Sequence, residues 1–106
     1  IGFPTANIKL DFVDKLIPAD GVYAGWAVHD GTRYLAMANI GRRPTVGSVK
    51  RSIEVHLIDA SLELYSQKLT FELHLKIRDI VHFDGLDALT EQLNLDKMQT
   101  QHLLAR

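Results

Sequence analysis

Three oxygen-bearing side chains stand out for the chemistry that their types allow. Thr5 and Asn7 belong to the segment Gly2-Phe3-Pro4-Thr5-Ala6-Asn7, and Glu54 belongs to Arg51-Ser52-Ile53-Glu54-Val55-His56-Leu57-Ile58-Asp59. Pro4 fixes one φ and removes a backbone donor, so a hydroxyl and an amide oxygen are carried on a stiff turn. Two such neutral oxygens suit magnesium, which takes few protein ligands and fills its other positions with water and phosphate oxygens. The same residues also make an ordinary structural turn, with Thr and Asn bonding to neighbouring backbone. Glu54 has two readings as well. A glutamate on the outer face of a strand is ordinarily solvated; a carboxylate within hydrogen-bond reach of an alcohol can orient it and take its proton.

Several chemistries are missing. No glycine-rich loop is followed by lysine and serine or threonine, and neither the dinucleotide fingerprint nor the protein-kinase signatures occur. His29, His56, His74, His82 and His102 are scattered without metal-site spacing. With no cysteine in the chain, disulfides, thiol catalysis and cysteine metal sites are excluded. A formal charge of −1 over 106 residues gives no bulk electrostatic reason to bind nucleic acid. No apolar run approaches a membrane span and no signal-peptide pattern opens the chain, so the expected location is cytoplasmic.

The elements that must position these residues follow mostly a period of two. Gly21 to His29 alternates Val22, Ala24, Trp26 and Val28 with Tyr23, Gly25 and Ala27, and then meets Asp30-Gly31, a pair suited to a tight hairpin turn. Thr32 to Ile40 is the returning strand. In the strand Arg51 to Asp59, Ile53, Val55 and Leu57 share one face while Glu54, His56 and Ile58 share the other. Lys68 to Arg78 is the cleanest alternation and reads as a half-buried antiparallel strand. Gly41 to Lys50 is the longest loop signal. After Phe83-Asp84-Gly85 the spacing becomes helical to about Leu104, with Asp84 as the N-cap, Leu86, Leu89 and Leu93 on the apolar stripe, and Asp87, Glu91 and Asp96 away from it. The pattern implies one mainly β domain over residues 1–106: a small antiparallel barrel or strongly curled sheet, closed by a C-terminal α-helix.

Read together, the two motif segments resemble riboflavin kinase. Gly21-Val22-Tyr23-Ala24-Gly25, Asn39-Ile40-Gly41-Arg42-Arg43-Pro44-Thr45, Leu64-Tyr65, Ile77-Arg78-Asp79 and Phe83-Asp84-Gly85-Leu86-Asp87-Ala88-Leu89 with Gln92-Leu93 and Asp96 follow in the family's order. The resemblance implies a six-stranded Greek-key barrel with a C-terminal helix. It implies phosphorylation of the terminal ribityl hydroxyl of riboflavin to FMN, with ATP and Mg2+. Glu54 would act on the acceptor hydroxyl, Thr5 and Asn7 would hold the metal, and Pro4, Thr5, Ala6, Asn7 and Arg78 would bind the nucleotide. Asn39 and the helix fall among the expected substrate contacts. An N-terminal FMN adenylyltransferase domain is expected in the natural full-length protein, and no adenylyltransferase activity is expected of this segment.

The chain departs from the family pattern in three places. It begins after the family's first strand, so the domain is expected to be N-terminally incomplete. Ser66 stands where glycine is usual, and Thr100-Gln101 where Ala-Arg is common. A non-catalytic flavin-binding or structural remnant of the kinase barrel is therefore the alternative reading. The basic set Arg42, Arg43, Lys50 and Arg51 reads either as a solvated loop or, by the resemblance, as a flap over the phosphates or flavin. Small barrels with basic loops also bind single-stranded nucleic acid; near-neutral charge argues against that class, and Trp26, Tyr23 and Tyr34 read equally well as core.

Overall fold

The architecture is that of a computed structural model describing residues 3, 5–8, 18–60 and 69–104. Five strands, β1 (Thr5–Ile8), β2 (Gly21–His29), β3 (Thr32–Thr45), β4 (Ser48–Leu57) and β5 (Thr70–Arg78), precede one helix, α1 (Leu86–Leu104). They form one antiparallel sheet in the order β1-β4-β3-β2-β5. β2, β3 and β4 are joined by successive hairpins, and β5 returns to lie beside β2, which is a Greek-key arrangement. Among the described residues the two outer strands, β1 and β5, do not pair with each other, so the expected barrel is seen as a five-stranded sheet capped by a helix. The Asp30-Gly31 turn has φ values of 47° and 78°, and two positive φ values are what a type I′ hairpin requires.

The segment from Gly41 to Lys50, expected to be a loop, is a β-ribbon. β3 and β4 stay in register out to Thr45 opposite Ser48. The breakers misled because β2 pairs with β3 only as far as Ile40. Beyond that point Pro44 has a single neighbouring strand among the described residues, and its missing N–H need not remove a ladder bond. Asp20 secures the base of the ribbon, with Oδ1 3.1 Å from Arg51 Nη2 and Oδ2 3.4 Å from Arg42 Nε, and Arg51 also donates to the Pro18 carbonyl.

The alternation gives the sheet two unlike faces. Ala27, Ala36, Ala38, Val55 and Leu57 form a fully buried cluster on one, with Tyr34, Ile53, Ala60 and Phe71 packed around it. On the other, Met37, Ile58 and Leu93 are buried together, with Phe3, Leu35 and Leu89 against them. The helix docks on this second face through Leu89, Leu93, Asp96 and Thr100, a spacing of one helical stripe. Two helix expectations change. Asp96 is not directed away from the sheet: it is 1% exposed and bonded to Arg78, whereas Leu86 is 64% exposed. The cap position belongs to Gly85, whose carbonyl accepts the Leu89 N–H, and not to Asp84. Toward the other end, Asp59 accepts from Lys97 at 2.8 Å and Gln101 at 2.7 Å, fixing the helix to the end of β4. Tyr23 is core, its hydroxyl donating to the Ala19 carbonyl. Pro4 and Ser66 lie outside the described residues.

Candidate active site

Cross-strand register assembles the site. Asn7 is opposite Glu54, Glu54 opposite Asn39, Asn39 opposite Val22, and Val22 opposite Arg78, so a single rung crosses all five strands. The next rung on the same face runs Thr5, His56, Met37, Ala24, Leu75. Residues paired in this way share a face, because antiparallel partners point to the same side of the sheet. Thr5, Asn7 and Glu54, separated in sequence, therefore occupy adjacent positions on β1 and β4. Ala6 pairs with Val55 instead, so any contact it makes on the site side falls to its backbone.

Glu54 opens onto a cavity of about 160 Å³, an order of magnitude more than one buried water needs. Asn39, His56 and Arg78 supply the other polar walls. Val22 and Met37 form an apolar floor, and Ile80, Val81, Phe83, Leu89 and Leu93 close the side toward the helix. A cavity with a broad apolar wall and a few convergent polar groups suits a flat organic ligand with one polar end.

His56, which the sequence places on one face with Glu54 without giving it a role, forms part of the polar wall. Its side chain is 6% exposed, with Nδ1 2.9 Å from Thr5 Oγ1 and Nε2 3.2 Å from Glu54 Oε1. Phe3 packs edge-on against it at a centroid distance of 6.4 Å. Thr5 Oγ1 is also 3.0 Å from the Phe3 carbonyl. The i, i+2 spacing of Glu54 and His56 was the only sequence signal for this contact.

Arg78 lines the cavity from the opposite edge, but its guanidinium is held by the protein. Nε and Nη2 donate to the two oxygens of Asp96 at 2.9 and 2.8 Å, and Nη1 donates to the Asp79 carbonyl at 3.0 Å. Gln92 donates to the same carboxylate at 2.9 Å. Such a fork-on-fork contact fixes the plane of the guanidinium. Arg78 thus ties β5 to the helix at the mouth of the site. Asn39 Oδ1 is buried with no hydrogen-bond donor in reach among the described residues. An orphaned acceptor on a cavity wall is a place for a ligand hydroxyl or amine.

Of the two expected metal ligands, Thr5 has a described side chain. Among the described residues no group of three or more His, Asp or Glu side chains could form a metal cage. Thr5 Oγ1 is a neutral oxygen at the edge of the sheet, the kind of ligand that magnesium supplements with water and phosphate.

The riboflavin kinase family model matches residues 1–104. The chain is 40% identical over 99 residues to the bifunctional riboflavin kinase/FMN adenylyltransferase of Escherichia coli (strain K12), covering 92% of this chain and 31% of that protein. It is 39% identical over 102 residues to the bifunctional protein of Bacillus subtilis, covering 93% and 32%. An RNA-binding riboflavin kinase of Bacillus subtilis is 37% identical over 99 residues, covering 91% of this chain and 41% of that one. A crystal structure described as a macrolide-efflux protein from Streptococcus pneumoniae superposes with a TM-score of 0.82 at 34% identity, over 94% of this chain and 33% of that one. No helix among the described residues is long and apolar enough to cross a membrane. The chain spans about a third of the length of the bifunctional relatives. It belongs to the riboflavin kinase family.

Proposed function

We propose that this domain transfers the terminal phosphoryl group of ATP to the ribityl terminal hydroxyl of riboflavin, giving FMN and ADP. The observation that carries the reading is the rung geometry: Glu54 opens onto the cavity while, through one imidazole, it is joined to Thr5. The isoalloxazine ring would lie against the apolar wall of Val22, Ile80, Val81 and Phe83, with the ribityl chain running toward Glu54. Glu54 accepts a hydrogen bond from the terminal hydroxyl and orients its oxygen. As the new O–P bond forms and the bond to the ADP leaving oxygen breaks, the hydroxyl proton passes to the carboxylate. Asn39 Oδ1, which has no donor among the described residues, takes a second ligand hydroxyl. Thr5 and Asn7 would hold magnesium, which when bound neutralises charge on the phosphates.

The test is FMN formation from riboflavin, ATP and magnesium, followed by chromatography. Turnover that requires both ATP and magnesium is expected. A second reading, a flavin-binding remnant, draws on the same apolar wall, which would hold a flavin ring without any nucleotide. The two separate on one point: a remnant binds riboflavin and shows no magnesium-dependent ADP binding. The RNA-binding relative raises nucleic acid as a partner. In this chain Arg42 and Arg51, the described basic side chains at the ribbon base, both face Asp20, and the net charge is −1. Neither favours a phosphate-tracking surface.

A further inference from the structure

We propose that His56 is a positioning residue: one buried imidazole that sets the hydrogen-bond direction of both the base Glu54 and the hydroxyl of Thr5. The inference rests on the kinase reading above, in which Thr5 faces the metal and Glu54 the acceptor. No step of the phosphoryl transfer uses the ring itself, yet it touches both of them, at 2.9 and 3.2 Å.

Counting protons gives the direction of each contact. An ionised carboxylate only accepts hydrogen bonds, so a neutral ring facing Glu54 Oε1 carries its proton on Nε2 and leaves Nδ1 as an acceptor. Thr5 has one hydroxyl proton and two acceptors in reach, Nδ1 at 2.9 Å and the Phe3 carbonyl at 3.0 Å. Whichever takes it, the ring sets no donor against the hydroxyl oxygen, whose lone pairs are left for a cation. The other tautomer would aim an N–H at that oxygen and set two acceptors, Nε2 and Oε1, against each other. The ring cannot readily turn away, because Phe3 packs on it, Met37 lies opposite it in register, and the side chain is 6% exposed. His56 therefore keeps Glu54 oriented as an acceptor and Thr5 as an oxygen ligand, from opposite edges of a single ring. Groups that orient metal ligands in this way typically change metal affinity when removed.

Two substitutions separate the halves of this role. In His56→Asn the amide reaches about as far as Nδ1, and in His56→Gln about as far as Nε2. Magnesium-dependent ADP binding is measured by calorimetry, turnover by FMN formation, and folding by thermal unfolding. His56→Gln should weaken magnesium-dependent ADP binding by about tenfold or more while kcat falls less. His56→Asn should show the reverse, with kcat falling more than binding, and His56→Phe should lose both. The proposal is overturned if His56→Phe is folded and keeps both values within about threefold of wild type. It is also overturned if the Asn and Gln variants lose binding and turnover in the same proportion, which is what a packing role alone would give. Should the Phe variant not fold, the Asn and Gln pair decides. If the unsubstituted chain makes no FMN, the kinase reading fails by itself, and the ADP-binding comparison still decides whether His56 acts on Thr5.

Discussion

The two faces of the sheet are built from the same strands and obey opposite rules. On β4, Val55 and Leu57 are fully buried in a cluster with three alanines. Glu54 and His56, alternating with them, face a cavity and share it with Asn39 and Arg78. The apolar face tolerates no excess volume. An ideal Cβ at Gly25 would stand 2.1 Å from the Glu72 carbonyl oxygen and 2.7 Å from Phe71. The site face carries what a packed core would not: a buried amide oxygen without a donor, at a cost of about 1–3 kcal/mol. The difference shows how a small sheet supports a polar site. Close packing behind β2, β3 and β4 fixes the register, and the register sets Thr5 opposite His56 and Glu54 opposite Asn39. A slip of one residue would exchange the faces and bury Glu54 in the alanine cluster.

Substitutions at neighbouring positions should therefore have unlike consequences. Glu54→Gln keeps the shape and removes the base, and kcat for FMN formation should fall about 10²–10⁴-fold while the unfolding midpoint stays close to wild type. An equal loss of stability, or unchanged turnover, would end the distinction between the faces. Asp96→Asn comes next. It leaves the Arg78 guanidinium without its carboxylate partner at a position 1% exposed, and urea unfolding should register a loss of about 3 kcal/mol. Because Arg78 lines the cavity, riboflavin affinity should fall as well; a variant as stable as wild type would show that the pair does not anchor the helix. Gly25→Ala adds one methyl against backbone, where nothing can rotate aside. Its expected cost is about 2 kcal/mol, with kcat per folded molecule unchanged.

How far these features could be read from the sequence depended on their range. Period two separated the faces of β4, where Val55 and Leu57 alternate with Glu54 and His56; β2 is buried on both faces, and β5, the cleanest alternation in the sequence, is exposed along most of its length because register shifts against β2 break its period. The Asp30-Gly31 turn followed from local backbone preference alone. What failed depended on partners distant in sequence. Asp96 looked like an exposed helix charge because its carboxylate is neutralised by Arg78, which lies in another element. The ribbon from Gly41 to Lys50 looked like a loop because glycine and proline weigh against an inner strand, and only the sheet shows that this stretch has one neighbour. The resemblance picked out Thr5, Asn7 and Glu54, and the sheet brings their positions together on β1 and β4. It did not give His56 a part, since nothing in the spacing of β4 says that β1 will set Thr5 opposite it.

Two ion pairs on the end of β5 sharpen the comparison at its weakest point. Arg78 meets a carboxylate buried under the helix, whereas Lys76, two residues earlier, meets Asp79 in solvent at 2.6 Å. Their mutual hydrogen bond raises the Lys76 pKa and lowers that of Asp79. A lowered carboxyl pKa adds stability above the unfolded value and loses it as pH falls through the folded one. A raised amine pKa adds stability below the unfolded value and loses it as pH rises through the folded one. The pair should thus act across the neutral range and fade at both ends. Exposed pairs contribute little and are screened by salt, so Asp79→Asn should shift the unfolding midpoint at neutral pH less than any change above. The shift should shrink in high salt and below the carboxylate range. A midpoint difference that persisted in acid would mean that Asp79 acts through something other than its charge, and the contrast with the buried pair would then rest on Asp96 alone.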